Sequence, residues 1–245
     1  MKNREMVPKK IQEELDRTQN SVHLEGPVYS CVITNKEKPS NFTVADLELV
    51  TATRHKNEQG KMELVDKMYH RVRILATGEK AEKLINLEKE FEASRNAGTK
   101  AKAQVLSLDG EITVGKNGQP YILAKEENVT FSDKISFKNS LTLQGKVEKT
   151  VSNNHFATAI LSTKTSFDTK VLIPMVVFNK DNPKGWADIA SEKVHKGDTI
   201  NISGPLVSAI YGNGEDSKYR CSVNAKHYTV LNQKLAKERK TGVSM

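Results

Sequence analysis

An all-β chain in which one five-strand module is built twice is what the sequence predicts, and three observations carry the prediction. The stretch Asn139-Ser-Leu-Thr-Leu-Gln-Gly-Lys-Val147 has an earlier copy, Asn20-Ser-Val-His-Leu-Glu-Gly-Pro-Val28, with Asn, Ser, Leu, Gly and Val in register. Apolar and polar residues alternate in both (Leu141, Leu143; Val22, Leu24), the pattern of a strand with one buried face. A Gly follows where such a strand must bend or admit another backbone. A helical period then interrupts each half once, at Glu79 to Arg95 and at Trp186 to Val194. Each half also carries an Asn-Gly pair, Asn117-Gly118 and Asn213-Gly214, a strong signal for a two-residue hairpin. Recurrence of this kind marks a duplicated unit.

The 245 residues suffice for one large or two ordinary domains. Hydrophobic residues make up 37% of the chain and mean hydropathy is −0.56, enough for cores with little apolar surplus. Cys31 and Cys221 lie too far apart for a metal-ligand spacing, and a chain without a disulfide framework fits a reducing compartment. The first residues scatter apolar positions among Lys, Arg and Glu, unlike a signal peptide, and no apolar run nears the ~20 residues of a membrane helix. The expectation is a soluble, cytoplasmic protein. Net charge is +8; the first module is neutral, and the second module and the C-terminal Lys234, Lys237, Arg239 and Lys240 carry most of the excess. Such a surplus suits a polyanion partner, or simply a basic solvated surface.

Residues 1–19 read as a helical extension, with Pro8 in the first turn and Ile11 and Leu15 as a narrow stripe. In the first module, residues 20–131, the opening strand (Val22 to Val28) precedes a second, Phe42 to Thr53, supported by Val44 and the alternating Leu47 and Leu49. His55 to Lys61 is a polar loop and Tyr69 to Ala76 a third strand. The helix that follows places Ala81, Leu84, Leu87 and Phe91 on one face and its carboxylates among lysines on a solvated one; Gly98 closes it. Ala103 to Gly110 and Tyr121 to Phe131 are strands four and five, and residues 132–138 are a linker. The second module, residues 139–231, repeats the order with Phe156 to Thr163, a loop from Lys164 to Asp168, Lys170 to Phe178, the short helix, Gly197 to Gly204, and Tyr219 to Leu231. Residues 232–245 form a basic tail. Three strands, a helix and two strands is the order of an OB-fold, a five-stranded Greek-key barrel whose closure removes exposed edges. The sequence therefore predicts two tandem OB-folds.

Within that frame Tyr69-His70-Arg71-Val72, followed by Gly78-Glu-Lys-Ala-Glu82, resembles the Trp-His-Arg-Val…Gly-Lys-x-Ala-Glu segment of bacterial single-stranded DNA-binding proteins. Val176-Val-Phe-Asn-Lys180 resembles the end of the same strand, and Lys196-Gly-Asp-Thr-Ile-Asn-Ile-Ser-Gly-Pro-Leu206 resembles the family's Lys-Gly-Asp-x-Val-x-Val-x-Gly-x-Leu strand. The resemblance implies single-strand binding by base stacking on aromatics and phosphate neutralisation by Lys and Arg. Stacking is worth ~1–3 kcal/mol per base and tolerates any sequence. By position, Tyr69 takes the place of the family's Trp, His70 and Arg71 follow it, and His55 falls near a stacking Trp in the preceding loop. Phe178 and Lys180 match the strand-three aromatic and its following Lys, and Tyr211 a stacking Trp before the hairpin. Arg54, Lys56 and Arg73 complete the candidate set around the first groove; Lys164, Phe167, Lys218 and Arg220 do so around the second. Two-barrel relatives pair as dimers, so a homodimer is implied too.

The pattern also departs from the family. Asn117 stands where the first hairpin would carry its Trp, and Leu172-Ile173-Pro174 where the second module would carry Trp-His-Arg. The chain ends Lys237-Glu-Arg-Lys-Thr-Gly-Val-Ser-Met245, without the acidic tip by which relatives recruit replication and repair proteins. Each candidate has a plainer reading: Tyr69 and Phe178 as barrel plugs, the cations as solvated surface. Tyr121 and Tyr219 open strand five in both modules and read as structural, and Trp186, with Ile189, Ala190 and Val194, as a core face.

Catalytic patterns are weak. Gly110-Glu-Ile-Thr-Val-Gly115-Lys116 matches most of a phosphate-binding loop, but Asn117 replaces the metal-holding hydroxyl and an Asn-Gly turn stands where a helix should begin. The six histidines have no zinc-ligand spacing. The sequence thus points to a non-enzymatic, cofactor-free and metal-free protein that binds and protects single-stranded DNA in replication, recombination or mobile-element transfer. The alternative is an OB-fold adaptor whose barrels serve mainly protein contacts.

Overall fold

The computed structural model describes residues 19–36, 42–152, 156–178, 186–211 and 218–231; the expected N-terminal helix, the basic tail and the Asn213-Gly214 turn lie outside them. The described chain is mostly strand and falls into two compact units. One comprises Ser21–Ser140 with Leu206–Cys221, the other Leu141–Pro205 with the described residues from Ser222 on. Among the described residues no helix is long and apolar enough to cross a membrane.

The first unit contains β1 (Asn20–Ile33), β2 (Thr43–Lys56), β3 (Met62–Ala76), α1 (Gly78–Asn96), β4 (Val105–Val114), β5 (Pro120–Lys125) and β6 (Val129–Ser132). β1 pairs antiparallel with β2 and β2 with β3; β3 runs parallel to β5, β5 antiparallel to β4, and β4 returns to β1. The ring is a closed five-strand barrel with α1 between its third and fourth strands, consistent with an OB-fold. β4 closes it by changing partner: Val105 to Gly110 faces β1, and Glu111 to Val114 faces β5. It runs past the expected end at Gly110 because that residue lets the strand cross against β5; a Cβ there would meet the Leu123 carbonyl oxygen at 2.6 Å. A 3₁₀ turn, Glu126–Asn128, divides the expected fifth strand. The hairpin at Asn117-Gly118 is longer than two residues. Gly115 and Gly118 close a turn, Gly118 has φ +72°, and Gly115 N–H bonds to the Gln119 carbonyl.

Alternation along β1 to β4 fills the barrel with Val22, Leu24, Leu49, Ile74, Leu108 and Ile112, all fully buried. From α1 come Ala81, Leu84 and Leu87, as the helical period predicts; the fourth buried residue is Glu88, with Phe91 only half-buried. Glu88 accepts the Ile33 N–H at 2.8 Å and pairs with Lys36 Nζ at 2.7 Å, capping the end of β1. The helix carboxylates are therefore not all on a solvated face.

Within this unit His70 is wholly buried, its Nε2 2.8 Å from Thr51 Oγ1 and its Nδ1 2.8 Å from Ser208 Oγ. Ser208 accepts from the Tyr219 hydroxyl, which in turn accepts the Arg71 N–H. That relay fits the neutral Nε2–H tautomer, and burial pushes the His70 pKa down to about 4. Ser208 lies on the strand Leu206–Tyr211, and Asn139 clasps the same segment, exchanging two bonds with Leu206.

After β7 (Lys138–Ser152), the second unit contains β8 (Phe156–Lys164), β9 (Lys170–Phe178), α2 (Trp186–Lys193) and β10 (Thr199–Gly204). β11 (Leu206–Tyr211) and the start of β12 (Lys218–Asn224) belong to the first unit, and β13 (His227–Val230) ends the described strands. β7 pairs antiparallel with β8, β8 with β9, and β10 with β7; β9 runs parallel to β12. Where β4 is continuous, Pro205 separates β10 from β11. Gly204 packs so closely that a Cβ would sit 2.0 Å from the Asn224 carbonyl oxygen.

Two stability outcomes follow. A Cβ at Gly26 would lie 1.9 Å from the Val50 carbonyl oxygen, so Gly26→Ala should cost at least ~1–3 kcal/mol, read as a lowered urea midpoint. Between an unfolded histidine pKa of ~6.5 and the folded value of about 4, the unfolded chain binds a proton that the fold refuses. The His70 contribution is thus intact above pH 6.5 and lost as pH falls, by about 2 kcal/mol at pH 5 relative to pH 7.5. Urea midpoints at the two pH values should differ less in His70→Gln than in the native chain.

Candidate nucleic-acid interface

The outer face of β2 and β3 in the first unit carries side chains in register: Asp46 opposite Arg73, Glu48 opposite Arg71, and Val50 opposite Tyr69. With β1 and the Gly115–Gln119 hairpin this face borders an open cleft of about 650 Å³, lined by Asp46, Glu48, Arg71, Arg73, Lys116 and Tyr121 among others. Arg73 holds Asp46 in a two-point ion pair, 2.6 and 2.7 Å, and its guanidinium stacks 5.0 Å from the Tyr121 ring. The Asp46 carboxylate raises the Arg73 pKa further. Arg71 donates to Gln119 Oε1 at 2.6 Å and lies 5.1 Å over the Tyr219 ring. Both guanidiniums are thus oriented before any ligand arrives, but beside two carboxylates that offset their charge.

Tyr69 points outward and is 38% exposed, so it does not plug the barrel. His70 does not reach the surface: strand alternation turns it inward to Thr51 and Ser208, which removes it from the interface. Arg54 donates to the Ile135 carbonyl and lies 5.8 Å over Phe137. With the exposed His55 and Lys56 it occupies the far end of β2, roughly 25 Å along the strand from Asp46. Lys218 and Arg220 are exposed on β12.

In the second unit Phe178 is 40% exposed, in register with the half-buried Phe156 at 6.4 Å between ring centres. Phe167 projects from the Thr165–Thr169 hairpin at the opposite end of the same ladder, where Lys164 pairs with Asp168 at 2.5 Å. Between these ends the outward row is uncharged, with Thr158, Ile160, Leu172, Pro174 and Val176. Lys180 and the Tyr211 side chain lie outside the described residues.

Tyr29 escapes the sequence reading. Tyr29 follows the buried Val28 on the outward row of β1 and is 61% exposed, its ring edge-on to Tyr69 at 5.2 Å and 81°; the β1–β2 register slips between Val28 and Ser30, a β-bulge after which Cys31 returns to the core. The signal in the sequence is the alternation itself: Val22, Leu24, Gly26 and Val28 face inward, so Tyr29 faces outward.

Nothing among the described residues gathers three or more His, Cys, Asp or Glu side chains into a metal site. Burial pushes the Cys31 and Cys221 thiols up to about 12, so neither is a thiolate at neutral pH. The loop-like stretch from Gly110 to Lys116 is the end of β4 and its hairpin, with no helix N-terminus to receive a phosphate.

No family model and no curated protein matches the chain. Among solved structures it is similar to the single-stranded DNA binding protein from Thermus aquaticus. A deletion mutant of that protein is 20% identical, with 87% of this chain and 95% of that one covered and a TM-score of 0.59. The wild-type form is 20% identical, with 87% and 93% covered and a TM-score of 0.57. Over most of its length, then, the chain is related in fold to a bacterial single-stranded DNA-binding protein.

Proposed function

We propose that the chain binds single-stranded DNA without regard to sequence, on two OB-folds formed by residues 20–131 and 139–231, and is not an enzyme. The observation that carries this reading is the outward placement of Tyr69 and Phe178 on the corresponding strands of the two units, with Tyr69 two residues from a cleft arginine that is already oriented. A base needs an open ring face, and both residues offer one. Arg71, Arg73 and Lys116 supply cations along the first cleft, to whose unit Tyr211, Lys218 and Arg220 also belong; Lys164, Phe167 and Lys180 would extend the path on the second. The likeness in fold to a protein named for single-stranded DNA binding supports the same conclusion. Two copies paired as a dimer would present four barrels to one strand.

Asp46 and Glu48 within the first cleft favour a second reading, an adaptor whose barrels mainly contact proteins, because carboxylates beside the guanidiniums oppose phosphate approach.

Fluorescence anisotropy of a labelled dT oligonucleotide at 50 and 200 mM salt separates the two. The first reading expects log K to fall by roughly 0.7 per phosphate contact per decade of salt. It also expects Phe178→Ala to weaken binding about five- to hundredfold. No binding at low salt would overturn it and leave the adaptor. The mass of the free protein in solution reads the dimer directly.

A further inference from the structure

We infer that Tyr29 and Tyr69 form a two-ring corner on the first barrel that holds one unpaired base. The inference rests on the single-strand reading above and adds a site to it. Tyr29 lies at the β1–β2 register slip, on the outer face of β1 that the alternation from Val22 to Val28 sets. Its side chain is 61% exposed, too open to serve the core, and it stands perpendicular to Tyr69 at 5.2 Å. In an edge-to-face pair one ring keeps a free face while the other braces it, so a base can stack without first ordering the platform. The corner continues the cleft: Ser30, next to Tyr29, and Arg71, two residues beyond Tyr69, both line it. A base at the corner would therefore lead its phosphate toward an oriented guanidinium.

The second unit has the same register slip, between Val147 and Lys149, but the residue turned out is Glu148, paired with Lys170 at 2.8 Å. The position opposite Tyr69 in the repeat is Leu172. Among the described residues the two-ring corner thus belongs to the first barrel alone.

The test uses the full chain and labelled dT oligonucleotides. Tyr29→Ala should weaken binding about five- to hundredfold and Tyr29→Phe by less than about twofold, with urea midpoints unchanged. Because the two rings serve one base, Tyr29→Ala with Tyr69→Ala should lose less than the product of the single losses. Photocrosslinking with 5-iodo-deoxyuridine in the strand should yield an adduct on Tyr29 or Tyr69. Native-like affinity of Tyr29→Ala, with Phe178→Ala still weakened, overturns the corner and spares the proposed function. No binding by the native chain overturns both. A change in solution mass in Tyr29→Ala at unchanged affinity assigns the rings to contact with a second copy and also overturns the corner.

Discussion

Closure of the β1–β2–β3–β5–β4 ring is the constraint on which the first unit depends. β1 is paired on both edges, so its backbone must pass close to another strand, and at Gly26 it does so against the Val50 carbonyl with no room for a Cβ. β4 meets a matching demand by changing partners at Gly110. With no strand left open among these five, the helix closes the barrel end through Ala81, Leu84 and Leu87. Its Glu88 satisfies a backbone N–H at the end of β1 that would otherwise be buried without a partner.

A closed barrel leaves its outward side chains free of the core, and the two units use that freedom differently. At corresponding positions of strands two and three, the first carries Asp46, Glu48, Arg71 and Arg73, and the second Thr158, Ile160, Pro174 and Val176. One face is a strip of paired charge with rings at one end; the other is uncharged along its middle, with phenylalanines at both ends of the ladder. Both units keep the glycine and the register slip, which the backbone requires, and differ in the outward side chains, which it does not constrain.

Among the described residues the thiols are buried and protonated, His70 is neutral and fully engaged, and the cleft guanidiniums are held by neighbours. Asp46 and Glu48 offset much of the positive charge of Arg71 and Arg73 in the first cleft.

Much of the fold was legible in the sequence because periodicity is local. Alternation located the strands, and the 3.6-residue period located the buried side of α1 up to Leu87. The repeat located both glycines, Gly26 and Gly145. Alternation also implies that if Tyr69 faces out then His70 faces in, yet a polar residue type obscured this. The partners that make burial tolerable for His70, Thr51 and Ser208, stand 19 and 138 residues away. Glu88 was hidden likewise, since its acceptor role exists only once Ile33, 55 residues earlier, is brought to it. Sequence by itself determined which residues alternate, which repeat and where the chain must turn. Tertiary structure decided which polar groups could be buried and that the ring of Tyr29 stands beside that of Tyr69, because both depend on partners that only folding brings within reach.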